Sequence, residues 1–189
     1  PGPLEAARKT IREETVGDRI VARLGNGLQV IEPGEVDVVV MAGMGGTTIR
    51  GILERSPAVV ACLRRIVCQP MNGAAGLRRW LEESEWHIVS EDLVLEDAHL
   101  YEVLSAEPGK SDPTDELLLE IGPLLWHSRH PLLAEQLLRL KRQYELRAAD
   151  MAHSRSEEVM NSLRSCRQKI NALEEKLTCL QAVPPFPRR

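Results

Sequence analysis

The sequence predicts an open α/β sheet with an antiparallel edge, followed by an antiparallel helical hairpin. Strand–helix alternation through the first hundred residues, two closely spaced strands at its end and a heptad pattern beyond Pro131 carry that expectation. Taken in order, Leu4 to Glu14 places Leu4, Ala7 and Ile11 on one face of an amphipathic helix. Asp18 to Arg23 (DRIVAR) alternates as a short strand does, and Gly25-Asn26-Gly27 then breaks it with a tight turn. Val36 to Ala42 is β-branched with one charge and reads as a buried central strand of a parallel sheet. Gly43-Met44-Gly45-Gly46 follows, with Thr47 or Thr48 offering the N-cap of a helix through Ile49, Ile52 and Leu53. Arg65 to Gln69 is a strand closed by Pro70, and Ala74 to Glu83 is a helix. Trp86 to Leu95 and Leu100 to Ala106 are strands separated only by Glu96 to His99, the spacing of a hairpin.

From Pro131 the period changes. Leu133, Leu137, Leu140 and Tyr144 form one helical stripe, and Val159, Leu163, Cys166, Ile170, Leu173, Leu177 and Leu180 form a three-heptad seam. Ser154-Arg155-Ser156-Glu157 offers a capping box for the second helix, and the polar stretch Ala149 to Ser154 lets the pair fold back. Pro184-Pro185-Phe186-Pro187 ends helicity. The expected organisation is a sheet domain over residues 1–125, a helical hairpin over 126–183 and a Pro-rich tail over 184–189.

Charge is divided along the same line. Residues 1–125 hold 12 Lys/Arg and 21 Asp/Glu, whereas 126–189 hold 12 and 7, so −9 is followed by +5. That asymmetry points the C-terminal third toward a polyanion. Arg139, Lys141, Arg142, Arg164, Arg167 and Lys169 are its candidate contacts to such a polyanion, flanked by Arg147, Arg155 and Lys176. A solvated coiled-coil surface or a dimer seam would show the same pattern. Cys62, Cys68, Cys166 and Cys179 have neither disulfide-framework nor zinc spacing, which suits a reducing cytosol, and the five His form no ligand set, so no metal is expected. No segment approaches the ~18 apolar residues of a membrane span. The first residue is Pro1, so further sequence is expected upstream.

Ligands of open α/β sheets bind at the carboxyl ends of the strands. Those ends here are Gly25–Gly27, Ala42–Gly46 and Gln69–Asn72, and all three carry Gly, Pro or Asn. Gly43 to Thr48 lacks the third Gly of a dinucleotide turn and the Lys of a phosphate loop, leaving a turn that admits a ligand closely, or one that is merely tight. Asn72 suits a hydrogen bond to a ligand or the cap of the following helix. Tyr101 suits stacking on a flat ligand, although core packing is the more usual fate of a Tyr in an apolar strand. Glu91, Asp92, Glu96 and Asp97 suit orienting a substrate, although acidic runs are more usually solvated turns, and Glu120 beside Gly122-Pro123 is a better candidate for a local cap than for catalysis.

The series GPLEAA (2–7), RLGNGL (23–28), DVVVMAGMGG (37–46), CQPMN (68–72), GLRRWL (76–81), EDLVLEDAHLYEVL (91–104) and ELLLEIGPLL (116–125) resembles the bacterial tRNA (adenine-22, N1)-methyltransferase family. The resemblance covers residues 2 to about 180. It implies a class I, Rossmann-like methyltransferase sheet with an appended coiled coil, S-adenosylmethionine as cofactor, and methyl transfer to N1 of a flipped adenine in tRNA. By resemblance, Gly25, Asn26 and Gly27 border the cofactor's adenine. Ala42, Gly43, Met44, Gly45 and Gly46 replace the Asn/Asp-Pro-Pro clamp of amino-group methyltransferases. Gln69, Pro70 and Asn72, the catalytic candidates, stand where the base enters. The family's first strand and acidic cofactor loop would precede Pro1, so the chain as given is expected to bind the cofactor poorly. A cytoplasmic monomer is expected, with a dimer through the coiled coil as the open alternative. Rival readings are a tRNA-binding or coiled-coil protein without catalysis, and a methyltransferase acting on another base or a small molecule.

Overall fold

The computed structural model describes residues 2–152 and 156–182. Four strands, β1 (Val38–Met44), β2 (Arg65–Pro70), β3 (Trp86–Glu96) and β4 (His99–Pro108), form one sheet in the order β1-β2-β4-β3. β1 and β2 run parallel, and β4 is antiparallel to both β2 and β3. Asp97 and Ala98 both take positive φ (47° and 62°), the two-residue turn whose twist suits an antiparallel hairpin. The α/β class, the parallel pair and the antiparallel edge all agree with the sequence.

The helices are α1 (Gly2–Glu13), α2 (Gly46–Glu54), α3 (Pro57–Val60), α4 (Ala74–Glu83), α5 (Glu116–Ile121), α6 (Pro123–Ser128), α7 (Leu133–Met151) and α8 (Glu157–Ala182). α2 and α4 lay Ile49, Leu53, Leu77 and Leu81 on Val39, Met41, Ile66, Cys68, Leu104 and Ala106 of the sheet. Each large aliphatic side chain so buried contributes about 1.5–3 kcal/mol. A second core joins Leu93 of β3 and Ile121 and Leu125 of α5–α6 to Leu133, Leu137, Leu140 and Tyr144 of α7 and Cys166 and Leu173 of α8. The heptad seam from Cys166 to Leu180 is therefore filled by the chain's own packing.

Several local expectations are corrected. Asp18 to Arg23 is not a strand: Ile20 and Val21 are 49% and 75% exposed, and no neighbouring strand completes a ladder among the described residues. Alternation alone cannot make a strand without a hydrogen-bonding partner. β1 is not central but the first strand of the described sheet, with Val38 and Val40 exposed. The N-cap of α2 is Gly45, not Thr47 or Thr48, and that of α4 is Gly73, not Asn72. Residues 154–155 of the expected capping box and the tail 184–187 lie outside the described residues.

Candidate active site

The register between β1 and β2 slips between Ala42 and Met44, which lifts Gly43 out of the ladder with φ at 75°. A bulge of this kind re-aims backbone groups at the end of a strand. The freed Gly43 N–H donates to Gln69 Oε1 at 2.9 Å. Met71 N–H donates to Met44 O and Gly46 N–H to Asn72 O, both at 2.8 Å. Ala42–Gly46 and Gln69–Asn72 are thus one hydrogen-bonded unit at the carboxyl ends of adjacent parallel strands. The unit depends on its glycines. A Cβ on Gly46 would stand 2.5 Å from Gly73 O, and one on Gly45 2.9 Å from Asn72 Oδ1. Gly43 differs, because a Cβ there would meet nothing within 4 Å.

Gly25-Asn26-Gly27 does not hydrogen-bond to this unit. It opens a single 3₁₀ turn at Gly27–Val30 and packs against α2, where a Cβ on Gly27 would lie 2.8 Å from Ile52 Cγ2. The loop is pinned by Arg23, which donates to Val30 O and Glu35 Oε2, each at 2.9 Å. Hydrogen bonds from Arg23 and from the Glu32 N–H hold the Glu35 carboxyl down at about 2.

Beside Gln69–Met71 lies an open chamber of about 210 Å3, lined also by His99, Leu100, Tyr101, Glu102 and Arg139. Its lining sets the flat rings of Pro70 and Tyr101 beside the polar Gln69, His99, Glu102 and Arg139. Tyr101 is half-buried on the wall of this chamber and is not part of either core. A second chamber of about 270 Å3 shares Met71, Glu102 and Arg139 with the first and runs between Asn72–Ala75 and α7.

Behind both chambers is a charged network that sequence reading missed. Arg78 donates to Glu91 Oε1 (2.6 Å), Glu102 Oε2 (2.8 Å) and Leu119 O (2.8 Å). Glu91 Oε2 accepts from Leu124 N–H at 2.7 Å, and Glu102 Oε1 from Arg139 at 2.6 Å. Burial alone would lower the Arg78 pKa, but the charges of Glu102 and Glu91 outweigh it and the net shift is upward. Glu91 is no solvated turn residue: its side chain is fully buried against Arg78. Glu120 is no local cap either, since its carboxylate accepts from Tyr144 Oη and Lys169 Nζ and so ties α5 to α7 and α8. A signal for the network existed. Ala74, Leu77, Arg78 and Leu81 share one helical stripe, and Leu100, Glu102, Leu104 and Ala106 one strand face. A charge inside an apolar stripe asks for a buried partner.

Among the basic residues of the hairpin, Arg139 is bound to Glu102 and Gln136, Lys141 pairs with Glu145 and Glu174, and Lys169 is held by Glu120. Arg142, Arg164 and Arg167 are exposed, with no carboxylate partner among the described residues. Arg155 lies outside them. No group of three metal-ligating side chains occurs among the described residues, and no helix is long and apolar enough to cross a membrane.

Known proteins share this fold. A Bacillus subtilis (strain 168) tRNA (adenine(22)-N(1))-methyltransferase is 30% identical over 186 residues, covering 96% of this chain and 76% of that one. The solved B. subtilis m1A22 tRNA methyltransferase TrmK superposes with a TM-score of 0.83 at 25% identity, over 94% of this chain and 78% of that one. A Streptococcus pneumoniae protein assigned as a tRNA (m1A22) methyltransferase, solved with S-adenosyl-L-methionine, gives 0.81 at 28% identity over 94% and 77%. The family model of tRNA (adenine(22)-N(1))-methyltransferase (TrmK) matches residues 1–175, from α1 into α8. On that match the chain belongs to the tRNA (adenine(22)-N(1))-methyltransferase family.

Proposed function

We propose that this chain transfers a methyl group from S-adenosylmethionine to N1 of adenine 22 in tRNA, the activity for which its family is named. In a chain of this family, one observation carries the reading. Two loops at the ends of parallel strands are locked into one unit beside a chamber lined by Pro70 and Tyr101. The residues fit the cofactor, because Gly25–Gly27 and Ala42–Gly43 present exposed backbone and Gly43 borders open space. Gly25–Gly27 and Ala42–Gly46 would hold S-adenosylmethionine, which when bound supplies an electrophilic methyl group.

Adenine N1 carries its own lone pair, so no strong base is required. The protein's task is alignment and exclusion of water. Gln69 performs part of it as a brace: its Oε1 holds Gly43 while its Nε2 lies 3.5 Å from Met71 Sδ. Asn72 holds Gly46 through its backbone O and packs its side chain against Gly45. Pro70 and Tyr101 offer flat surfaces to a base extruded at a cost of a few kcal/mol.

Residues 1–125 form the catalytic unit in this reading, and 126–183 the RNA arm. Arg142, Arg164 and Arg167 contact phosphates, while Arg139, Lys141 and Lys169 hold the arm in place. The filled seam between α7 and α8 supports a monomer, and a tRNA substrate supports the cytoplasm. The test is incubation with unmodified tRNA transcript and S-adenosylmethionine. One methyl group should enter per tRNA, stop reverse transcription at nucleotide 22 and disappear when adenine 22 is replaced by guanine. Methylation elsewhere, or none even at saturating S-adenosylmethionine, overturns the proposal.

A further inference from the structure

We propose that Arg147 of α7 grips the phosphate of the extruded nucleotide while its base occupies the neighbouring chamber, which makes the helical hairpin part of the active site. This rests on the function proposed above. The two chambers adjoin through Met71, Glu102 and Arg139 and differ in character. The first offers Pro70, Leu100 and Tyr101, the second Asn72, Gln143 and Arg147. A nucleotide has the same polarity, a flat base at one end and an anion at the other.

The charges lining the second chamber are Glu102, Glu120, Arg139 and Arg147. Glu102 is neutralised by Arg78 and Arg139, and Glu120 accepts from Lys169 and Tyr144. Arg78, Arg139 and Lys169 together balance Glu91, Glu102 and Glu120. Arg147 is the surplus, with no carboxylate partner among the described residues. Its position is set, because Cζ stands 5.5 Å from the ring centroid of Tyr144 and that ring is anchored at its hydroxyl by Glu120. A stacked guanidinium with unused donors is well suited to forked hydrogen bonding to a phosphate. Arg142, Arg164 and Arg167 line neither chamber, so Arg147 is distinct from the RNA-anchoring set.

The experiment uses the full chain with S-adenosylmethionine and a tRNA transcript carrying 2-aminopurine in place of adenine 22, whose fluorescence rises when the base leaves its stack. Arg147 is exposed on a helix and Ala is a strong helix former, so Arg147→Ala should fold. It should bind tRNA within about threefold of the unsubstituted protein, since one phosphate contact among many is lost. The fluorescence rise should fall about tenfold, the worth of a charge-assisted hydrogen bond. Arg147→Lys, which keeps the charge without the fork, should restore part of it. A neutral methylphosphonate at the phosphate of nucleotide 22 should reproduce the loss in the unsubstituted protein and add nothing in Arg147→Ala. A full rise in Arg147→Ala, or two effects that add, overturns this inference alone. Absence of any rise, or of tRNA binding, in the unsubstituted protein overturns the proposed function and this inference with it.

Discussion

Arg139 of α7 donates to Glu102 of β4 at 2.6 Å, and this charged hydrogen bond joins the helical hairpin to the sheet. The other oxygen of Glu102 accepts from Arg78, which also holds Glu91 and the Leu119 carbonyl. Two arginines and two carboxylates therefore meet where α4, β3, β4, α5 and α7 converge. Buried charges persist only where each is paired and hydrogen-bonded.

Arg78→Met should lose about 3–5 kcal/mol of stability, since Glu91 and Glu102 keep their burial and lose their shared partner. Arg78→Lys should recover little of it, because one ammonium cannot reproduce three bonds fanned from a planar fork. Urea unfolding followed by circular dichroism measures both. A midpoint unchanged in Arg78→Met would show that the network carries little stability.

Gly43 and Gly46 should separate two roles of the Gly-rich loop. Gly46→Ala drives a Cβ to 2.5 Å from the Gly73 carbonyl, so the two loops must part, at about 1–3 kcal/mol. Gly43→Ala meets no neighbour and costs about 1–2 kcal/mol for its left-handed backbone. Its new methyl group enters the open space proposed for the cofactor. Calorimetric titration with S-adenosylmethionine should therefore show that Gly43→Ala loses affinity out of proportion to its stability. Equal affinity in Gly43→Ala and the unsubstituted chain would remove Gly43 from the cofactor wall.

The parts of this molecule that were legible in the sequence are those fixed by period. The strand character of Val36 to Ala42 (though not its place in the sheet), the stripe Ala74–Leu81 and the seam Cys166–Leu173 each needed only the chain's own residue pattern to show themselves. Two strand-end loops, Ala42–Gly46 and Gln69–Asn72, were legible because Gly, Pro and Asn cluster there, whereas Gly25–Gly27 follows no strand among the described residues. What depended on a second segment was not. DRIVAR has strand periodicity and no partner strand among the described residues. Glu91 looked solvated because its partner lies 13 positions earlier on another element. Arg139, Lys141 and Lys169 counted as RNA-facing charge although internal carboxylates hold them. Composition counts a cation without showing whether the fold has already engaged it.

Alkaline pH should loosen the hairpin first. Burial lowers the Lys169 pKa, but its hydrogen bonds to Glu120 and Tyr144 and the charges of those groups together outweigh it, so its value is raised above the ordinary 10.5. Burial, with Glu120, also raises Tyr144 above the ordinary 10.0. Both groups hold more protons when folded, so their contribution is complete below the ordinary values and declines as pH rises through the folded ones. Urea midpoints between pH 8 and about 11 should fall in the native chain and fall less in Lys169→Met. A parallel decline in both proteins would remove Lys169 from the cause.

Thiol labelling should distinguish Cys68 from the exposed Cys62 and Cys179. Burial pushes the Cys68 thiol up to about 12, so it should resist a disulfide reagent at pH 8 until the protein unfolds. Rapid labelling of Cys68 in the native state, read by mass spectrometry, would show that the sheet core opens readily.

The last prediction separates anchoring charge from structural charge on the hairpin. Arg164 and Arg167 are exposed on α8 without carboxylate partners among the described residues, whereas Lys141 bridges α7 to Glu174 of α8 at 2.9 Å. Phosphate contacts release counterions, so losing both arginines should reduce the slope of log affinity for tRNA against log salt by about 1 per residue. Lys141→Ala should leave that slope nearly unchanged and lower the unfolding midpoint slightly, as an ion pair that is partly solvated contributes at most about 1 kcal/mol. The two sets of variants thus move different observables. Were Lys141→Ala to flatten the salt dependence while Arg164→Ala/Arg167→Ala did not, tRNA would be meeting the groove between the helices rather than the outer face of α8.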